Sequence, residues 1–218
     1  MLVPWLLGWE PAGDRTAFAG ALHAGSCAGI GAVVGVPDRR TAALVAATSV
    51  PAAVAGLLAA DRVEARLGRP PQLAALLAAA GVLLWAADRW SPQERTAVGP
   101  REAALAAAAQ VTALVPGVSR SGATLTALRL AGVERAAAER FSLLMSLPIT
   151  AGAAGLTLAR ARRLEPGTVP AALAAAGSAA AVAWARSRRP GRSATGPALY
   201  RLGVAAVVAR RLLRKDRS

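Results

Sequence analysis

The chain has 218 residues, 55% apolar and 17% charged, with a mean hydropathy of +0.41. Soluble domains run at roughly 45–50% apolar and about 25% charged, so composition points to an integral membrane protein; it excludes disorder and, with Cys27 unpaired, a disulfide scaffold. The net charge of +14, from 26 basic against 12 acidic residues, would suggest nucleic acid in a soluble chain, but here the bases fall between apolar runs, at 39–40, 61–69, 160–163, 186–192 and 210–217, where arginine marks membrane edges and anionic headgroups.

A spanning helix needs about 20 mostly apolar residues. In chain order the runs are Ala17–Val36, Thr41–Ala60 after a Pro-Asp-Arg-Arg turn, and Gln72–Ala87 after Arg69-Pro70-Pro71. The polar stretch Asp88–Arg101 reads as the longest loop. Ala103–Val115 is apolar but short, and Leu125–Ala131 is shorter still. Phe141–Leu158, Thr168–Ala185 and Leu199–Leu213 complete the set, the last carrying Arg201, Arg210 and Arg211. Trp5, Trp9, Trp85, Trp90 and Trp184 fall near run ends, as an interfacial belt requires. Met1–Trp9 has neither the basic flank nor the cleavage pattern of a secretory signal. The expected fold is all-α: one polytopic membrane domain over 1–218, with about six spanning helices and a re-entrant helical hairpin around residues 103–131.

The hairpin rests on length. Ala103–Val115 covers about 20 Å as a helix, against a hydrocarbon core of about 30 Å. It ends at Pro116-Gly117, and Val118-Ser119-Arg120-Ser121-Gly122-Ala123-Thr124 leads into the next short run. Non-helical backbone at membrane depth needs a protein or water-filled surrounding, so a hairpin here would line a cavity. An ordinary interfacial loop after a short span is the other reading. In a cavity, Arg120 would offer a fork for two phosphate oxygens, Ser119, Ser121 and Thr124 hydroxyl donors, and Gly117 and Gly122 close backbone approach. The following half-helix would present free N–H groups to the same anion.

Gln110–Pro148, reading QVTALVPGVSRSGATLTALRLAGVERAAAERFSLLMSLP, resembles the second signature region of the bacitracin-resistance type undecaprenyl-diphosphatases. Weaker likeness extends to Ala21–Ser26, Val50–Leu57 and Tyr200-Arg201. The resemblance implies hydrolysis of a polyprenyl diphosphate in the bacterial inner membrane, recycling the cell-wall lipid carrier. It makes Arg120, Ser119 and Ser121 the catalytic candidates, and Gly117, Gly122 and Thr124 the phosphate-binding ones. The expected partners are the lipid substrate and the bilayer, not nucleic acid; a homodimer stays open. A divalent cation, Mg or Ca, is implied by the family, although no metal ligand set is visible in the residues. The family's first signature, with its glutamates, serines and histidine, has no counterpart in the chain, whose opening Leu2–Trp9 resembles the family's segment just after that histidine. The chain as written is therefore expected to bind phosphate better than it hydrolyses it.

The other candidates are weaker. His23 lies in an apolar run and reads as a packed polar group more than as an acid or base. Glu102 and Glu139 are the carboxylates nearest the motif, Glu139 with Arg140 suiting an interfacial cap. Cys27 suits helix packing. A non-catalytic polyprenyl-phosphate binding or transport protein is the second reading. A phosphatidic-acid-phosphatase type is disfavoured because it needs a His after Arg120, and His23 is the only one in the chain.

Overall fold

The structure is a computed structural model that describes residues 15–67, 69–161, 167–188, 191 and 193–215. Trp5, Trp9 and the segment Leu2–Trp9 lie outside the described residues, as do Arg162, Arg163, Arg189, Arg192, Asp216 and Arg217 of the basic clusters. The described residues form α1 (Arg15–Val34), α2 (Arg39–Leu67), α3 (Pro70–Trp90), α4 (Pro100–Thr112), α5 (Arg120–Leu130), α6 (Arg135–Arg160), α7 (Thr168–Ser187) and α8 (Thr195–Lys215). Among them the only β pairing is a single bridge between Arg95 and Val133.

Helix boundaries follow local chemistry. Asp38 starts α2, its carboxylate accepting from the Thr41 backbone N–H at 3.0 Å and from the Thr41 hydroxyl at 2.6 Å; that is the N-cap arrangement that satisfies an otherwise orphaned donor. α2 runs on through Asp61–Arg66, which by sequence reads as a charged connection. Nothing there breaks a helix, and the first breakers are Gly68 and Pro70. Pro70 and Pro71 open α3, where a missing N–H costs nothing. α3 likewise continues past Ala87 through Asp88 to Trp90, because Asp88 finds partners inside the protein.

Among the described residues five helices are long and apolar enough to cross a membrane: Thr16–Val34, Arg39–Ala60, Pro71–Trp90, Arg135–Arg160 and Thr168–Ser187. α8 has 21 residues but carries Arg201, Arg210 and Arg211 and is not among them. Large apolar side chains cover the outside: Leu57 is 69% exposed, Leu58 70% and Leu173 67%. So much exposed apolar surface suits lipid and not water. The chain is an all-α polytopic membrane protein. Exposed Trp90 and Trp184 stand near the ends of α3 and α7, where Trp90 makes an edge-on contact with Trp85 (ring centroids 5.3 Å apart) and the Arg188 guanidinium lies 5.1 Å from the Trp184 ring centre.

The chain divides into two compact units, Met1–Val45 with Leu143–Pro190, and Ala46–Ser142 with Gly191–Ser218. In the first, α1 packs along α7. A Cβ at Gly25 or Gly29 would strike the carbonyl oxygens of Ala172 and Ala176, so this register requires glycine and sets the two helices running in the same direction. Cys27, also on α1, faces α6, its thiol 3.6 Å from the Leu147 carbonyl oxygen, and His23 is a half-buried residue of α1. In the second unit, α3 packs on α8 and α5, and α5 packs on α4.

Candidate active site

α4 and α5 make the hairpin. With 13 and 11 residues they reach about 20 Å and 17 Å, short of a bilayer core. α4 buries Ala103, Ala106, Ala107 and Gln110, an i, i+3, i+4, i+7 stripe of mostly small side chains that lets α5 lie close. The two open ends are tied together: the N–H groups of Glu94 and Arg95 donate to the Gly132 carbonyl at 3.1 and 3.0 Å, and the Glu134 N–H to the Arg95 carbonyl at 2.9 Å. Gly132 turns the chain with φ +82°. The segment therefore returns to where it began, as a helical hairpin does.

A buried ion cluster holds that end. Arg129, with no exposed surface, sets its Nε 3.3 Å from Asp88 Oδ1 and donates through Nη1 to the Val133 carbonyl. Arg135 Nε donates to the same Asp88 oxygen at 2.7 Å. Asp88 Oδ2 accepts from the Ala194 N–H at 2.8 Å and the Ser193 hydroxyl at 3.1 Å. One carboxylate thus joins α3, α5, α6 and the approach to α8.

The turn from Ala113 to Ser119 carries the motif. Gly117 has φ +94°, a region that other residues enter only with strain. A Cβ there would also lie 2.9 Å from the Leu73 carbonyl oxygen. Its small size thus seats the turn on α3. Ser119 is the N-cap of α5; its hydroxyl oxygen accepts from the Gly122 N–H at 3.4 Å and lies 3.4 Å from the Ser121 hydroxyl. Arg120 is half-buried, and its Nη1 is shut off from solvent with no hydrogen-bond partner among the described residues. A buried, unpaired guanidinium nitrogen is costly, and an anion held at the first turn of α5 would satisfy it. The Ser119 and Ser121 hydroxyls thus lie close to one another, with Arg120 between them in the chain.

Thr124 is not with them. It is 1% exposed, and its hydroxyl is 2.6 Å from the Ser142 hydroxyl and donates to the Arg120 and Ser121 carbonyls at 3.1 and 3.3 Å. It anchors α5 to α6. Gly122 is occupied as well: a Cβ there would sit 2.9 Å from Arg201 Nη2. Arg201, from α8, donates through that nitrogen to the Ser119 hydroxyl at 2.9 Å. The sequence marks Arg201 as a charge within the last apolar run and as part of the Tyr200-Arg201 likeness, without a role at the turn. An arginine inside the apolar stretch Leu199–Ala209 was the available signal, as Arg129 was for the ion cluster.

Of the two glutamates nearest the motif, Glu102 sits away from the turn. Glu102 is the third residue of α4, about 15 Å along the helix from its loop end; it accepts from the Gly99 N–H at 3.0 Å and pairs with Arg95 at 3.7 Å. Beside it a cavity of about 430 Å³, lined by Arg95, Arg101, Glu102, Leu105 and Leu130, opens at the open end of the hairpin. Gln110 donates to the Thr48 carbonyl at 3.2 Å. Among the described residues no three His, Cys, Asp or Glu side chains gather for a metal. The groups at the turn are guanidinium and hydroxyl, a donor set that fits an anion and does not fit a divalent cation.

Residues 18–207 match the family described as bacitracin resistance protein BacA. The chain belongs to that family. Among curated BacA-type relatives, the undecaprenyl-diphosphatase of Gemmatimonas aurantiaca is 39% identical over 206 residues, covering 84% of this chain and 76% of the relative. That of Desulforudis audaxviator is 36% identical, covering 77% and 69%. That of Pelotomaculum thermopropionicum is 37% identical, covering 78% and 69%.

Proposed function

We propose that this protein is an undecaprenyl-diphosphatase of the bacterial plasma membrane. Water adds to the terminal phosphorus of undecaprenyl diphosphate, the phosphoanhydride P–O bond breaks, and undecaprenyl phosphate and inorganic phosphate leave. Membership of the BacA family and the names of its relatives support this reaction class. The observation that carries the site assignment is the buried, unpartnered Arg120 Nη1 on the first residue of α5, with Ser119 and Ser121 its neighbours in the chain.

Hydrolysis of this kind depends mostly on positioning and on stabilising charge. Arg120 would hold two oxygens of the terminal phosphate, and the Ser119 and Ser121 hydroxyls would orient it. The first N–H groups of α5, which have no intrahelical acceptor, would face the charge that develops. The activation of water is assigned to none of the described residues.

The test is phosphate release in detergent. Arg120→Ala should lower the rate by about a hundredfold, on the order of 3 kcal/mol for one charge-assisted clamp. Arg120→Lys should recover little, because a point charge lacks the planar fork. Near wild-type turnover by both variants would remove Arg120 from the site.

A further inference from the structure

We propose that Arg201 is a positioning residue for the phosphate site: it fixes the Ser119 hydroxyl as a hydrogen-bond donor toward the terminal phosphate. The proposal rests on the phosphate reading of the Ser119–Gly122 turn and adds a residue from another helix to it.

The argument is one of hydrogen-bond polarity. A serine hydroxyl has one proton and two acceptor lone pairs. The Gly122 N–H can only donate, and it points at Ser119 Oγ from 3.4 Å. A guanidinium likewise has donors and no acceptor, and Arg201 Nη2 points at the same oxygen from 2.9 Å. Both lone pairs of Ser119 are therefore taken, and its proton has to be given away. The groups left to receive it are the Ser121 oxygen, 3.4 Å away, and an anion at the turn. Without Arg201 one lone pair would be free, and the hydroxyl could rotate to accept instead, presenting the wrong polarity to a phosphate. The positive charge of Arg201 also makes the Ser119 proton a better donor.

The surroundings are built to seat this side chain. Arg201 is 8% exposed, and its Nη1 donates to the Pro197 carbonyl at 2.9 Å, one turn back on α8. That bond holds the guanidinium plane and leaves Nη2 aimed at Ser119. Gly122 leaves the room it needs, since any Cβ there would be 2.9 Å from Nη2 and 3.3 Å from Arg201 Cζ. At the other end Gly81 of α3 lets α8 approach, a Cβ there lying 3.3 Å from Arg201 Cβ. Two glycines on two helices thus make space for one arginine.

The proposal predicts coupling between Arg201 and Ser119, which a simple packing role does not. The measurement is calorimetric binding of a methylene-diphosphonate analogue of polyprenyl diphosphate to the full chain in detergent, alongside phosphate release from the diphosphate itself. Arg201→Met and Ser119→Ala should each weaken analogue binding by about tenfold. The double variant should also lose about tenfold and not about a hundredfold, because both changes remove the same donor. Arg201→Lys should restore most of the binding, since a single ammonium donor satisfies the Ser119 oxygen. Multiplicative losses, or Arg201→Lys no better than Arg201→Met, would overturn the positioning role. If Arg201→Met fails to fold, Gly122→Ala supplies the same displacement of Nη2; its loss should vanish in the Ser119→Ala background, and an undiminished loss there overturns the proposal. Coupled binding without phosphate release from the parent chain would overturn the hydrolase reading alone. No binding by the parent chain would overturn both.

Discussion

Arg129 has no exposed surface, and Asp88 is what makes its charge tolerable: Nε sits 3.3 Å from Oδ1, within a cluster that Arg135, Ser193 and Ala194 complete. Arg201 donates to two neutral oxygens at 2.9 Å, those of the Pro197 carbonyl and the Ser119 hydroxyl. Arg120 differs from both: its buried Nη1 has neither a hydrogen bond nor an ion pair among the described residues. Asp88→Asn should destabilise the protein by about 3–5 kcal/mol, the range for removing one member of a buried pair. Thermal unfolding in detergent measures this, and replacing Arg129 with Met in the same chain should recover part of the loss, because no uncompensated buried charge then remains. An unchanged midpoint for Asp88→Asn would show that the cluster contributes nothing.

The hairpin is the element on which the site depends, and its two observable properties are length and return. Its helices are too short to cross, and backbone hydrogen bonds between 94–95 and 132–134 close its base. Single cysteines at Arg101 and Leu130, with Cys27 replaced, should therefore react with a membrane-impermeant maleimide from the same face of a vesicle. Labelling from opposite faces would mean that the segment crosses the membrane. The sequence made half of this legible. Thirteen apolar residues stopped by Pro116-Gly117 are too few to span, which is arithmetic on helix rise. Closure of the base was not legible, because it joins backbone atoms of residues about forty positions apart and leaves no pattern in side-chain type.

In the whole molecule, both compact units are packed through small residues, as expected where lipid removes the hydrophobic drive for helix association. In the first unit Gly25 and Gly29 sit against the backbone of α7, and in the second Gly117 sits against Leu73. Gly25→Ala and Gly29→Ala should each destabilise by about 1–3 kcal/mol through overpacking, with lower unfolding midpoints in detergent. Gly152→Ala, with nothing within 4 Å of its Cβ, should be neutral or stabilising, since alanine favours helix over glycine by about 1 kcal/mol. Equal behaviour of the three variants would show that the α1–α7 contact is not close.

The amino-acid sequence by itself determined the solvent of this protein, its helical class, its runs and the chemistry of its loop. Those properties depend on composition, on run length and on neighbouring residues such as Ser119, Arg120 and Ser121. Only the tertiary structure decided what each motif residue packs against. It turned Thr124 toward Ser142, and spent the room at Gly122 on Arg201 and the room at Gly117 on Leu73. The physical reason is the same in each case. A hydroxyl or a hydrogen-sized gap has the same identity wherever it points, and its role is settled by a partner 18 to 82 positions distant that no local pattern names.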